Sequence, residues 1–380
     1  MTHSAFMLGL TVFATQFPSF LLSVAGGIVS DRYDRYKVLL FTQVASLVQA
    51  ALLAILILTN KSTVWEILTL SALLGIINAF DVPARQALVY EMVDDKANLS
   101  NALALNSSMV NLARLIGPAV SGIVLEKFGA GTCFLVNAGS FVAVITSLLL
   151  MRLPKHVKRE DKKKAVTDLK EGLQYLKQAP TIGFVILMLA CISLLVLPYN
   201  TLLPVYAKVI FGGNAATFGY INSFIGLGAV CGTFFLASLK AGSDLKFILL
   251  ANTLIFGVGL ILFSHTHYFP LAMLFATISG FGMMSQTTIS NTIIQTTVHH
   301  HMRGRVISFF AMAFFGMLPL GSLLIGAVSQ RIGAPNTILS EGIIAIIIAL
   351  LFSPFLSKDR LERKDSEALE KAEEEAMEVI

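Results

Sequence analysis

Arg114 and Glu341 are charged residues set alone inside long apolar runs, and each brings its own chemistry. Arg114 lies near the middle of residues 101–126. Its guanidinium stays charged at any pH a cell reaches and offers a planar fork of donors. Such a group can hold an anion, bias a proton site, or pair with a buried acid. Glu341 stands between Ser340 and Gly342 in the run 336–356. A carboxyl buried there can bind and release a proton, whereas one near the mouth of the run is a solvated end. Its place in the outer third fits either. Asn106, Asn111 and Gln286 are the amides that could face a ligand beside them. Gly117 and Pro118 come one turn after Arg114. Proline removes a backbone donor and glycine admits a close neighbour, so this pair predicts a helix bend, or close helix packing.

A second group of charges gathers where apolar runs end. Residues 27–40 read GIVSDRYDRYKVLL. If the preceding helix continues, Asp31 and Arg35 are one turn apart and can pair, with Arg32 and Lys37 beside them. Asp81 and Arg85 are also four apart, at the end of the run 64–83. Pro83 between them predicts a bend or an end. An acid here suits a relay to Arg35. The plainer reading is topogenic charge and a surface pair worth about 0–1 kcal/mol. His299, His300 and His301 predict no metal site, because three consecutive side chains cannot face one ion on a regular element. Cys133, Cys191 and Cys231 form neither a disulfide framework nor a metal-ligand spacing. No GxxxxGK[ST] loop is present to bind ATP. No Ser/His/Asp or Cys/His constellation marks an enzyme, and no cofactor is expected.

The elements that carry these residues follow from composition. The 380 residues are 55% hydrophobic and 13% charged, with a mean hydropathy of +0.76. Soluble domains carry about 25% charged residues. Of the 51 charged side chains, 27 fall in 152–178 and 357–380, leaving the remainder too sparse to solvate a globular surface. A soluble enzyme, a disordered chain and a nucleic-acid-binding protein are excluded. A helical protein embedded in membrane lipid remains. Residues 1–6 hold no Lys or Arg, so the basic n-region of a signal peptide is absent. A bilayer core needs about 20 apolar residues per helix. That window gives eleven spans, at 7–30, 37–59, 64–83, 101–126, 131–152, 181–207, 215–239, 247–265, 269–292, 306–328 and 336–356. A lone charge at the bilayer centre costs at least ~2.5–3.5 kcal/mol, which is what singles out Arg114.

Loops on one side of these spans hold 23 of the 28 Lys and Arg residues. The other side holds Lys61, Lys127, Lys208 and Arg331. The basic side, which includes the C-terminus, is therefore expected to be cytoplasmic. Within it, Leu169, Leu173 and Leu176 recur at helical spacing and predict an amphipathic helix on the inner membrane surface. The tail 357–380 is expected to be solvated, as helix or without structure.

The spans repeat. Gly117, Gly122 and Gly129 recur as Gly321, Gly326 and Gly333, each 204 residues later. Parallel repeats of this kind are a transporter architecture. They divide the chain into a five-span half at 1–153, a basic linker at 154–180, a six-span half at 181–356 and the tail. The span 181–207 has no counterpart after Met1, so the first of twelve helices is expected to be missing from this chain.

The loop at 27–40 resembles the signature loop of the major facilitator superfamily. Gly27, Asp31, Arg32, Arg35 and Lys37 match, and Asp34 stands where glycine is usual. NAFDVPARQAL at 78–88, NLARLIGPAVSG at 111–122 and NTIIQTTVHHHMRGRVIS at 291–308 resemble the branch containing enterobactin exporters and macrolide efflux proteins. The resemblance covers essentially the whole chain. It implies an all-α membrane fold of two six-helix halves. It also implies a secondary transporter in the bacterial inner membrane, exporting a small organic molecule by alternating access in exchange for protons. A siderophore such as enterobactin is the leading substrate, and a macrolide-like drug the second. For Gly27, Asp31, Arg32, Arg35, Asp81 and Arg85 it implies a charge latch that holds the outward-facing state. The rival from another class is a truncated membrane protein kept as an interaction partner.

Overall fold

The computed structural model describes residues 4–92, 99–151, 165–240, 242–299 and 302–378; for Asp31, Asn111, 165–170 and 357–378, among others, it describes the backbone alone. Among the described residues there is no strand. In chain order the first helices are α1 (Ala5–Arg32), α2 (Arg35–Leu58) and α3 (Val64–Glu91). The helical stretch Leu99–Leu150 is broken at Gly129, whose φ of 80° and ψ of 169° divide it into α4 (99–128) and α5 (130–150). After α6 (Ala165–Gln178) come α7 (Pro180–Ile210), α8 (Ala215–Ala237), α9 (Leu245–Ser264), α10 (Phe269–Thr297), α11 (Arg303–Ile332) and α12 (Ala334–Glu378).

Among the described residues, ten stretches are long and apolar enough to cross a membrane. The one at Ser108–Leu150 has 43 residues and is broken at Gly129 into two helices, an arrangement that accommodates the eleven expected spans. Gly333, the repeat partner of Gly129, makes the matching turn between α11 and α12 with a φ of 83°. Residues with a Cβ rarely adopt that region.

Side chains start the helices. Ser4 caps α1, accepting from the Met7 amide at 3.4 Å. Asp34, placed where the resembling loop has glycine, caps α2 by accepting from the Tyr36 amide at 3.0 Å. Thr63 with Glu66 and Asn214 with Thr217 form capping boxes on α3 and α8. One boundary differs from expectation. α3 runs through Pro83 to Glu91 rather than ending at 83.

Lipid tails are as apolar as leucine, so packing within the bundle rests on close backbone approach. Gly26 and Gly75 bring α1 and α3 together. Gly228 and Gly280 do so for α8 and α10, and Gly257 and Gly342 for α9 and α12. α1, α2 and α3 pack with one another and, through α2, with the stretch 99–150, while α7 to α12 pack among themselves. The two bundles meet where α1 lies along α11 and α4 along α8. The linker helix α6 is a protein-docked element. Glu171 pairs with Arg305 of α11 at 2.6 Å, the Phe309 ring covers Gly172, and Tyr175 Oη accepts from the His299 amide at 3.4 Å.

Candidate functional site

The two seams between the bundles lie toward the charge-poor end, near Lys127, Lys208 and Arg331. On one seam a side chain at Gly9 would overlap the Ser322 carbonyl, and Gly326 faces Ala5 and Phe6. On the other, a methyl on Gly219 would overlap the Pro118 carbonyl and stand 3.2 Å from the Cα of Ala119. Each seam closes with a polar contact. Asn214 Nδ2 donates to Glu126 Oε1, and Gln330 Nε2 donates to Ser4 Oγ at 3.5 Å. Glu126 and Gln330 are 204 residues apart. Asn214 and Ser4 are the N-caps of α8 and α1. The two contacts are therefore equivalent by the repeat.

Beside the α4–α8 seam is a cavity of about 590 Å³. α4 contributes Val110, Ala113, Arg114 and Pro118, α8 contributes Asn222, Ile225, Gly226, Ala229 and Val230, and α10 contributes Met283 and Met284. Gly226 makes room for the crossing, since a methyl there would stand 3.1 Å from the Arg114 carbonyl. The walls are mostly apolar, with two polar groups. Arg114 is exposed and has no ion-pair or hydrogen-bond partner among the described residues, so no acid is found for the structural-pair alternative. Asn222 spends its Nδ2 on the Phe218 carbonyl at 2.9 Å. Methionine is flexible and polarizable, so this pair can shape itself to a guest.

Of the residues expected along a ligand path, the cavity gathers Arg114, and Pro118 from the bend. Asn106 is exposed but outside the lining, and the Asn111 side chain lies outside the described residues. Gln286 is fully buried, does not line the cavity, and its Nε2 has no partner among the described residues. Asn222, Met283 and Met284 were not among the candidates. Asn222 was visible as a lone amide in an apolar run, whereas the methionines carry no sequence signal. α4 remains helical through Gly117 and Pro118.

The charges at the basic end form a lock inside the first bundle. Asp81 is 3% exposed and receives Thr42 Oγ1 at 2.9 Å, Gln43 Nε2 at 2.7 Å and Arg85 Nη2 at 2.8 Å. The Thr42 and Gln43 contacts tie α3 to α2 and the Arg85 pair lies within α3, in place of the expected reach to Arg35. Arg35 Nε donates to the Ser30 carbonyl at 3.2 Å. Asp31 and Gly27 lie in the last turns of α1, Arg32 is exposed, and the Asp31 side chain is outside the described residues. His300 and His301 also lie outside them.

Glu341 is fully buried, and both of its carboxyl oxygens lack a hydrogen-bond partner among the described residues. The solvated-end alternative does not hold for it.

A family described as transmembrane secretion effectors matches residues 1–380. The chain is 29% identical to the staphyloferrin A transporter of Staphylococcus aureus, over 96% of this chain and 91% of that one. It is 25% identical to the enterobactin exporter of Salmonella paratyphi A, over 96% and 87%. It is 22% identical to macrolide efflux protein A of Streptococcus pyogenes, over 92% and 87%. The solved structure of the nucleoside transporter NupG superposes with a TM-score of 0.72 at 13% identity, over 93% of this chain and 91% of that one, a likeness of fold.

Proposed function

The chain belongs to the transmembrane secretion effector family of major facilitator transporters, and from there we propose that it exports a siderophore by alternating access in exchange for protons. The observation that carries this reading is the Arg114 guanidinium, without a partner among the described residues, in a mostly apolar cavity of about 590 Å³ between the two bundles. A ligand pocket of this kind pairs apolar walls with a few placed polar groups. Here it suits a small organic molecule with apolar bulk and oxygen acceptors for the guanidinium. Relatives named for staphyloferrin A and enterobactin support a siderophore. A macrolide-like drug is the second reading, favoured by the methionine-lined wall and the macrolide efflux relative.

The charge split supports a cytoplasmic basic side in a bacterial inner membrane. Both seams are closed toward the opposite side, which supports loading from the cytoplasm in this state. Lys170→Cys, in a chain without Cys133, Cys191 and Cys231, should react with an impermeant maleimide only in permeabilised cells. Reaction in intact cells would invert the orientation.

The test of function is expression in an enterobactin-producing bacterium that lacks its own exporter. Enterobactin in the medium should rise at least severalfold over the empty vector. Erythromycin tolerance without enterobactin export would move the assignment to the second reading. Neither effect, with the protein inserted in the membrane, would favour a non-transporting interaction protein.

A further inference from the structure

We propose that Glu341 is a proton-binding site of the second bundle, distinct from the Arg114 cavity and reached from the charge-poor end through Tyr206, Ser264 and His265. The carboxyl is sealed from water and both its oxygens lack a hydrogen-bond partner among the described residues. α12 is packed by α9, α7 and α11. At Glu341 the helices α9 and α12 are pressed backbone to backbone through Gly257 and Gly342. Among the described residues no Lys, Arg or His faces the acid from these helices. The titratable groups within its electrostatic range are the Tyr199 and Tyr206 phenols. An anion with neither counter-charge nor donor is unfavourable in an apolar interior. A metal ion would need several oxygen ligands, and no group of His, Cys, Asp and Glu that could hold one occurs among the described residues. A proton needs a single carboxyl oxygen.

The neighbouring helix is not a continuous α-helix. α7 tightens to a 3₁₀ turn at Leu197–Leu202 and widens to a π turn at Tyr206–Ile210, around Pro198 and Pro204. Such irregular turns recur at functional sites. Tyr199 belongs to the first and Tyr206 to the second. The Tyr206 hydroxyl donates to the Ser264 carbonyl at 2.7 Å, and Ser264 Oγ lies 3.0 Å from Nδ1 of His265, which is exposed at the end of α9. These groups mark a line from the buried acid to the charge-poor face. On the other side the Tyr199 hydroxyl contacts Met283 Sδ at 3.8 Å, and Met283 is a wall of the Arg114 cavity. Loss of the proton puts a charge beside Tyr199 and thereby bears on that wall. This use in coupling rests on the exporter reading, whereas the proton site rests on the packing alone.

The test needs no transport substrate. Infrared spectra of the purified full chain in a maltoside detergent, which has no carbonyl of its own, should show a carboxylic-acid carbonyl band at neutral pH, which exposed carboxylates do not contribute. Glu341→Gln should remove that band, Glu341→Asp should shift it, and Glu126→Gln should leave it unchanged. His265→Ala should keep the band and slow its deuterium exchange severalfold. A wild-type spectrum without the band, or a band that survives Glu341→Gln and is unmoved by Glu341→Asp, overturns the site. Unchanged exchange in His265→Ala overturns the route. If wild type exports neither enterobactin nor erythromycin, the exporter reading fails while the infrared result still decides the proton site.

Discussion

Arg114→Ala should weaken binding of the iron-free siderophore by about 10- to 100-fold, with little change in melting temperature. The magnitude is that of a hydrogen bond to a charged group, roughly 1.5–3 kcal/mol. Arg114→Lys should retain part of the affinity, because an ammonium keeps the charge and loses the planar fork. The stability expectation follows from the surroundings. Removing one member of a buried pair strands the other at a cost of about 3–5 kcal/mol, but Arg114 has no acidic partner among the described residues. Calorimetric binding and thermal melting on the same purified variant separate the cases. A destabilised Arg114→Ala protein, rescued by neutralising an acid on another helix, would make Arg114 structural. Unchanged binding would remove it from the site.

Gly219→Leu should reduce export close to background while the protein still inserts and folds. The added side chain runs into the Pro118 carbonyl across the α4–α8 seam, and overpacking of this kind costs about 1–3 kcal/mol. The cost falls only on the state in which the seam is closed, so it shifts the balance away from that state by about 5- to 150-fold. Each bundle keeps its own packing, since Gly228 and Gly280 still join α8 to α10. The check is a disulfide between Glu126→Cys and Asn214→Cys, which should form readily in the parent and slowly beside Gly219→Leu. Equal cross-linking and undiminished export would mean that this seam does not open and close during transport.

The spans were legible because burial in lipid demands unbroken apolar length, and that demand is written in every window. The repeat was legible for a related reason. Gly129 and Gly333 make the same turn with φ near 80°, which few other residues would tolerate. Arg114 stood out because a lone charge in such a run is costly. Glu341 stood out for the same reason, but its burial did not. Depth along a helix is read by counting residues, whereas the face it turns depends on which helices lie beside it. Tyr199, Tyr206 and Met283 were illegible on that account, since each matters through a neighbour from a distant part of the chain. Pro83 misled because tertiary packing carries α3 through it, with Asp81 fastened to α2 on one side of the proline and Ala84 and Leu88 buried on the other.

The contacts that close the two seams are equivalent in position and unequal in chemistry. Glu126 offers a carboxylate to Asn214 at the N-terminus of a helix, while Gln330 and Ser4 are both neutral. The charged contact is the stronger of the two. If the charge-poor end opens as the exporter reading requires, the expected order is the α1–α11 edge first and the α4–α8 edge after it. Two identical copies of the repeat would have no such order. On that reading the divergence at one matched position would give the molecule a leading and a trailing edge, with a guest at Arg114 on the edge that lets go last.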